Sequence, residues 1–171
     1  EIASCLVGSE MCIRDRGISV LGVNGIKSRI KIPAYGKYLR RLILKNRLEG
    51  KVRVLGNLSA EEMKREYLSA QIFVCPSAVE NSPNSVAEGQ LLGVPVAASR
   101  TGGIPDVVKD GVSGLLFEKG NVHELAACVS RILTDKQLAK ELSASERETA
   151  AKLYNGENNY QKLIEIYQSI E

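Results

Sequence analysis

The stretch Gln71-Ile-Phe-Val-Cys-Pro76-Ser-Ala-Val-Glu80-Asn-Ser-Pro-Asn-Ser85-Val-Ala-Glu88-Gly-Gln-Leu-Leu92-Gly-Val-Pro-Val-Ala-Ala98 reads as strand, turn, helix and strand in unbroken succession. Residues 71–76 are apolar, rich in β-favouring types and closed by proline, which predicts a short buried strand. Val86 to Leu92 predicts a helix that stops at Gly93, and Val94 to Ala98 predicts a second strand. Glu80 then falls at the carboxyl end of a strand, where open parallel sheets bind ligands. Glu88 falls about a turn into the next helix.

That layout suits a particular ligand chemistry. The first turn of a helix presents backbone N–H groups and the positive end of its dipole, which favours a phosphate near residues 84–86. Carboxylates accept hydrogen bonds from hydroxyls, so Glu80 and Glu88 can hold the two hydroxylated ends of one ligand whose phosphates lie over the helix start. A nucleotide sugar is built that way.

Outward from this stretch, strand and helix signals alternate. Gly17 to Val23 is strand-like, and Ala34 to Arg47 carries Tyr38, Leu39, Leu42 and Ile43 at helical spacing, with Leu48 just beyond. Val52 to Leu55 predicts a strand, and Ser59-Ala-Glu-Glu62 is a capping box that opens a helix to about Ser69. Beyond the central stretch come a helix near Ile104 to Lys109, a strand Gly114 to Phe117, a helix Asn121 to Leu133, another capped by Asp135, and a last one from Asn158 to Ser169. Strands separated by helices predict a parallel sheet covered on both faces, a doubly wound α/β domain. Residues 1–16 lack this rhythm. Gly8-Ser-Glu-Met-Cys-Ile-Arg-Asp-Arg16 looks like translated adaptor read-through, so the domain is expected to be 17–171 and the first sixteen residues a sequence scar or non-native terminus; a ragged terminal strand around Cys5 to Gly8 is the alternative.

At 171 residues, with 44% hydrophobic and 25% charged side chains, the chain is long enough for one core and short for two. No apolar run approaches the roughly 18 to 20 residues of a membrane span. A formal charge of +3 does not by itself imply a nucleic-acid partner, and none is expected. Cys5, Cys12, Cys75 and Cys128 show no paired spacing and His123 is alone, so neither a metal site nor a disulfide framework is expected. Cys75 and Cys128 read as small buried hydrophobes, which suits a reducing cytoplasmic setting. From Lys27 to Arg53 there are about ten basic residues, with Glu49 the only acid. A solvated helix face is the preferred reading; a peripheral contact with an anionic membrane is the alternative.

With Glu80 to Glu88 followed by Gly93 to Ser99 and Thr101-Gly-Gly-Ile-Pro-Asp106, residues 17–171 resemble the C-terminal domain of retaining GT-B glycosyltransferases, a Rossmann-like fold. Val54-Leu-Gly-Asn-Leu-Ser-Ala-Glu-Glu62 and Asp110-Gly-Val-Ser-Gly-Leu-Leu116 extend the likeness in the family's order. The wording Asn81-Ser-Pro-Asn-Ser85 looks closest to bacterial enzymes that build surface polysaccharides or glycolipids. The resemblance implies that Glu80 bonds the donor sugar as the catalytic-site carboxylate and that Glu88 bonds the ribose. It implies that Ser82, Pro83 and Asn84 face the sugar, that Asn84, Ser85 and Val86 meet the diphosphate, and that Gly56, Asn57 and Leu58 flank the nucleobase. Pro83 has no N–H, so only its neighbours can donate. No cofactor or metal is implied, and the donor would be a UDP- or GDP-sugar.

The family also carries an Arg and a Lys that clamp the donor diphosphate, on or just after the domain's first strand. By spacing these fall near or before residues 1–16, so the clamp is not assigned to Arg14 or Arg16. The N-terminal acceptor domain lies outside this chain. The full-length protein is expected to be a cytoplasmic hexosyltransferase and this piece alone inactive. Two alternatives stay open: a sugar-nucleotide epimerase of the same fold, and a non-catalytic nucleotide-binding module. For Gly102-Gly103, a tight turn needing positive φ and a ligand contact are equally weighted.

Overall fold

The computed structural model describes residues 5–7, 11–13, 34–55 and 58–170. The elements are β1 (Cys5–Val7), β2 (Met11–Ile13), α1 (Ala34–Lys45), β3 (Val52–Val54), α2 (Ala60–Ser69), β4 (Ile72–Cys75) and α3 (Asn84–Leu92). They continue with β5 (Val96–Ser99), α4 (Ile104–Val107), β6 (Leu115–Phe117), α5 (Val122–Thr134), α6 (Lys136–Leu153) and α7 (Gly156–Gln168). The expected strand at Gly17 to Val23 lies outside the described residues.

The strands form one sheet in the order β3-β2-β1-β4-β5-β6. β4, β5 and β6 are parallel neighbours, with Val74 opposite Ala97 and Ala98 opposite Leu116. β2 and β3 are also parallel, whereas β1 runs antiparallel to both β2 and β4. The direction of β1 follows from the chain between β1 and β2. Three residues can make a hairpin but cannot carry a parallel crossover of a dozen or more residues. Both strands fall within residues 1–16.

β4 shows why the centre of the sheet reads as continuous apolar sequence. All four of its residues are buried, and alternate side chains point to opposite faces. Phe73 and Cys75 join a core with Met63, Tyr67, Val86, Val96 and Ile104; Ile72 and Val74 join another with Ala97, Leu115, Ile132 and Leu142. Helices α2 and α3 therefore cover one face, and α5 and α6 the other. Tyr67 links the first layer to the end of the sheet that matters. Its ring packs edge-on to Phe73 at 5.3 Å, and its hydroxyl donates to the Ser85 carbonyl at 2.9 Å.

Side-chain caps set the helix starts, at Ser59 and Asp135 as the sequence predicts and at Asn121 as well. The Ser59 hydroxyl and then its N–H donate to Glu62 Oε2, at 2.7 and 2.8 Å, and hold the Glu62 carboxyl below its ordinary value, while Glu62 N–H donates to Ser59 Oγ at 3.3 Å. Asn121 and Asp135 cap α5 and α6 in the same way, through the amides of Glu124 and Leu138. Ser59→Ala should lower stability by about 1 kcal/mol, read as a shift of the urea midpoint at unchanged slope. Because α2 carries Tyr67, an unchanged midpoint would mean that packing alone sets this helix.

Candidate functional site

At the carboxyl end of β4 the chain runs through residues 76–83 before α3 begins. This loop is fastened from below by the segment that leaves β5, and the two run in step. Ser99 Oγ donates to the Ser77 carbonyl at 2.6 Å, and Thr101 Oγ1 donates to the Ala78 carbonyl at 3.3 Å. Next, a Cβ on Gly102 would stand 1.6 Å from the Glu80 carbonyl oxygen, and one on Gly103 would stand 2.1 Å from that of Asn81. Of the two glycines only Gly102 has positive φ, at 52°, while Gly103 sits at −81°. The pair is thus a turn whose bare backbone lies directly against the loop that carries Glu80. No side chain fits there.

Glu80 is half-buried, and its Oε2 accepts a hydrogen bond from Ser77 Oγ at 3.2 Å. Ser82 is exposed and Pro83 buried, with Pro83 as the N-cap of α3. Proline offers no side-chain acceptor, so the helix start keeps its positive end facing outward. The amides of Val86 and Ala87 turn back to the Pro83 carbonyl, at 3.0 and 3.2 Å. This narrows one expectation. Val86 is fully buried and its amide is engaged within the turn, so its contribution is to the core, while Asn84 is the exposed residue of the first turn. Glu88 lies one turn further on and is exposed. Gly93 ends α3 in the left-handed conformation, at φ 70°.

Among the nucleobase-flanking residues, Gly56 and Asn57 lie outside the described residues, and Leu58 packs half-buried against the core around Phe73. His123 is exposed on α5, in a different layer from the Glu80 loop. Arg100, just beyond β5, is engaged by two carboxylates: Glu118 at 3.0 Å and Asp110 at 3.1 Å. Asp110 also accepts the Leu116 amide at 2.9 Å, so Asp110 to Gly114 organises the start of β6. Among the described residues no three His, Cys, Asp or Glu side chains converge to hold a metal ion, and no helix is long and apolar enough to cross a membrane.

Three groups that matter here were not singled out by the sequence reading. Ser77 and Ser99 are buried hydroxyls whose partners are a carboxylate and a carbonyl. Gln90, fully buried on α3, donates to the carbonyls of Val107 and Ser113 at 3.0 and 3.3 Å, tying α3 to the segment that follows α4. A serine ending a strand three residues before a glutamate is a faint cue to the first of these. Glutamine in an apolar helix stripe is a cue to the last.

The family model described as glycosyl transferases group 1 matches residues 23–149. A sulfoquinovosyl transferase of Arabidopsis thaliana is 33% identical over 100 residues, covering 57% of this chain and 20% of that protein. A D-inositol 3-phosphate glycosyltransferase of Corynebacterium urealyticum is 32% identical over 119 residues, covering 70% of this chain and 28% of its own length. Among solved structures, Anabaena HepE in complex with UDP superposes with a TM-score of 0.74 at 25% identity, over 79% of this chain and 37% of that one. The chain therefore spans between a fifth and two fifths of the length of these relatives.

Proposed function

Because the chain belongs to the glycosyl transferases of group 1 and has the fold of the C-terminal half of a GT-B enzyme, we propose that it is the donor-binding part of a retaining glycosyltransferase. The reaction moves a sugar from a nucleoside-diphosphate sugar to an acceptor hydroxyl with the anomeric configuration kept. One observation carries the reading: Glu80, the open start of α3 and Glu88 follow one another at the carboxyl end of a strand flanked by a parallel neighbour.

In this reading Glu80 bonds and orients the donor sugar, beside Ser82 and Pro83. The first turn of α3, at Asn84 and Ser85, meets the diphosphate and stabilises the charge that builds on its leaving oxygen. Glu88 accepts from the ribose hydroxyls, and Gly56, Asn57 and Leu58 flank the base. HepE was solved with UDP and with UDP-glucose, which supports a UDP-sugar as the donor to try first. In this reading an N-terminal domain supplies the acceptor site and the other wall of the cleft, and this piece alone transfers nothing. The enzyme works in the cytoplasm on bacterial surface polysaccharide or glycolipid; the exposed Lys37, Arg40, Arg41 and Lys45 of α1 support a peripheral contact with an anionic membrane face.

The test is an NMR titration of the protein with UDP and with UDP-glucose. Glu88→Ala should weaken both ligands alike, by about tenfold, because each carries the ribose and a carboxylate-to-hydroxyl bond is worth roughly 1.5 kcal/mol. Equal affinity in wild type and variant would remove Glu88 from the site. Absence of binding to either ligand, even with the natural upstream sequence joined on, would sink the reading and the epimerase alternative together.

A further inference from the structure

The Glu80 carboxylate is held by one side chain, and that side chain is itself clamped. Ser77 is buried, 6% exposed, at the end of β4. Its hydroxyl lies 3.2 Å from Glu80 Oε2, its carbonyl accepts the buried Ser99 hydroxyl at 2.6 Å, and its Oγ lies 3.5 Å from Cys75 Sγ. The hydroxyl hydrogen of serine can serve one acceptor. A carboxylate is the stronger acceptor, so Ser77 donates to Glu80 and accepts from the Cys75 thiol. Burial raises the Cys75 pKa, which keeps that thiol protonated and able to donate. The chain Cys75 to Ser77 to Glu80 therefore has one consistent direction for its hydrogens, with Ser99 fixing the backbone beneath. Among the described residues no other group bonds the Glu80 carboxylate, so its second oxygen is left for a ligand.

We propose that Ser77 is a positioning residue: by donating to Oε2 it fixes the Glu80 side chain so that Oε1 faces the hydroxyls of the donor sugar. The proposal rests on the reading of Glu80 as the sugar-side carboxylate and adds the group that aims it. Without Ser77 the glutamate samples its several rotamers, and each sugar complex must order it anew. The effect falls on the sugar and spares the nucleotide, because Glu80 touches only the sugar end.

The experiment compares UDP-glucose and UDP on wild type, Ser77→Ala, Ser77→Thr, Glu80→Ala and the Ser77→Ala/Glu80→Ala double variant. Ser77→Ala should weaken UDP-glucose about five- to tenfold while UDP stays within about twofold, and Ser77→Thr should recover most of the loss. In the Glu80→Ala background Ser77→Ala should do nothing further, since the interaction it serves is gone. Equal weakening of UDP and UDP-glucose would show a general packing defect and overturn the proposal. Loss of UDP-glucose affinity in Glu80→Ala with none in Ser77→Ala would overturn it while leaving the site reading intact. If Glu80→Ala leaves UDP-glucose affinity unchanged, the site reading fails first and takes the proposal with it.

Discussion

Gly102→Ala should cost about 3 kcal/mol of stability or, if the loop gives way, lower UDP-glucose affinity by about tenfold or more. Two effects add at this position. The left-handed backbone at φ 52° penalises any L side chain by about 1 kcal/mol. The larger one is contact: the new Cβ would lie 1.6 Å from the Glu80 carbonyl oxygen and 2.7 Å from its carbon. Backbone cannot swing aside as the end of a flexible side chain can. Either the turn from β5 moves, breaking the Ser99 and Thr101 hydroxyl bonds to the Ser77 and Ala78 carbonyls, or Glu80 moves with its loop. Gly120→Ala is the control. Gly120 has φ 79° and open space around its Cβ position, so it should show the backbone penalty alone, about 1 kcal/mol, and unchanged ligand affinity. Urea midpoints and the two titrations together decide. If Gly102→Ala matches Gly120→Ala in both, the tight seating of Glu80 on the glycine turn has no energetic consequence.

This seating also marks where sequence reading stops. The β4-α3-β5 unit was legible because each element obeys a local rule: apolar residues on both faces of a central strand and Gly93 in a left-handed stop; α2 and α6 were legible from the capping oxygens of Ser59 and Asp135. The two glutamates were legible because they bracket a helix start. What was not legible depends on residues distant in the chain. Gly102 and Gly103 read equally well as a turn or a ligand contact until the Glu80 and Asn81 carbonyls are placed against them. Ser77 and Ser99 have no periodic signature, and their pairing spans 22 residues. The reversed strand β1 follows from a three-residue connection in a stretch read first as a sequence scar, with a terminal strand around Cys5 to Gly8 only as the alternative. Val86 was placed at the helix start; that its side chain is buried and its amide bonds the Pro83 carbonyl carried no sequence signal.

The most distant of these dependences is Glu146, and it carries the other large prediction. The run Ser143-Ala-Ser-Glu-Arg147 looks like an exposed polar face, but three of its side chains clasp the turn between α3 and β5. Ser143 donates to the Gly93 carbonyl at 2.7 Å, Arg147 to that of Leu92 at 2.9 Å, and Glu146 accepts the Val96 amide at 2.9 Å. Glu146 is fully buried, and its other oxygen has no partner. Burial raises its pKa from the ordinary 4.5 to about 8, opposed only by the Val96 amide. The folded protein then keeps a proton that the unfolded chain has released. Stability is fully present below pH 4.5 and is lost as pH rises toward 8, by up to about 1.4 kcal/mol per pH unit in this window.

Glu146→Gln keeps the acceptor for Val96 and abolishes the titration. Its melting temperature should match that of wild type at pH 5 and exceed it at pH 8 by roughly 5 to 10 °C. Glu146→Leu separates the two roles of the side chain. It also abolishes the titration but leaves the Val96 amide buried without an acceptor, so it should be less stable than the glutamine variant by about 1 to 3 kcal/mol at both pH values. Parallel pH profiles for wild type and Glu146→Gln would mean that Glu146 is solvated or shares its proton with water in solution. A gap that opens only above pH 5 would show that this helix is held to the donor-side sheet by a neutral carboxylic acid.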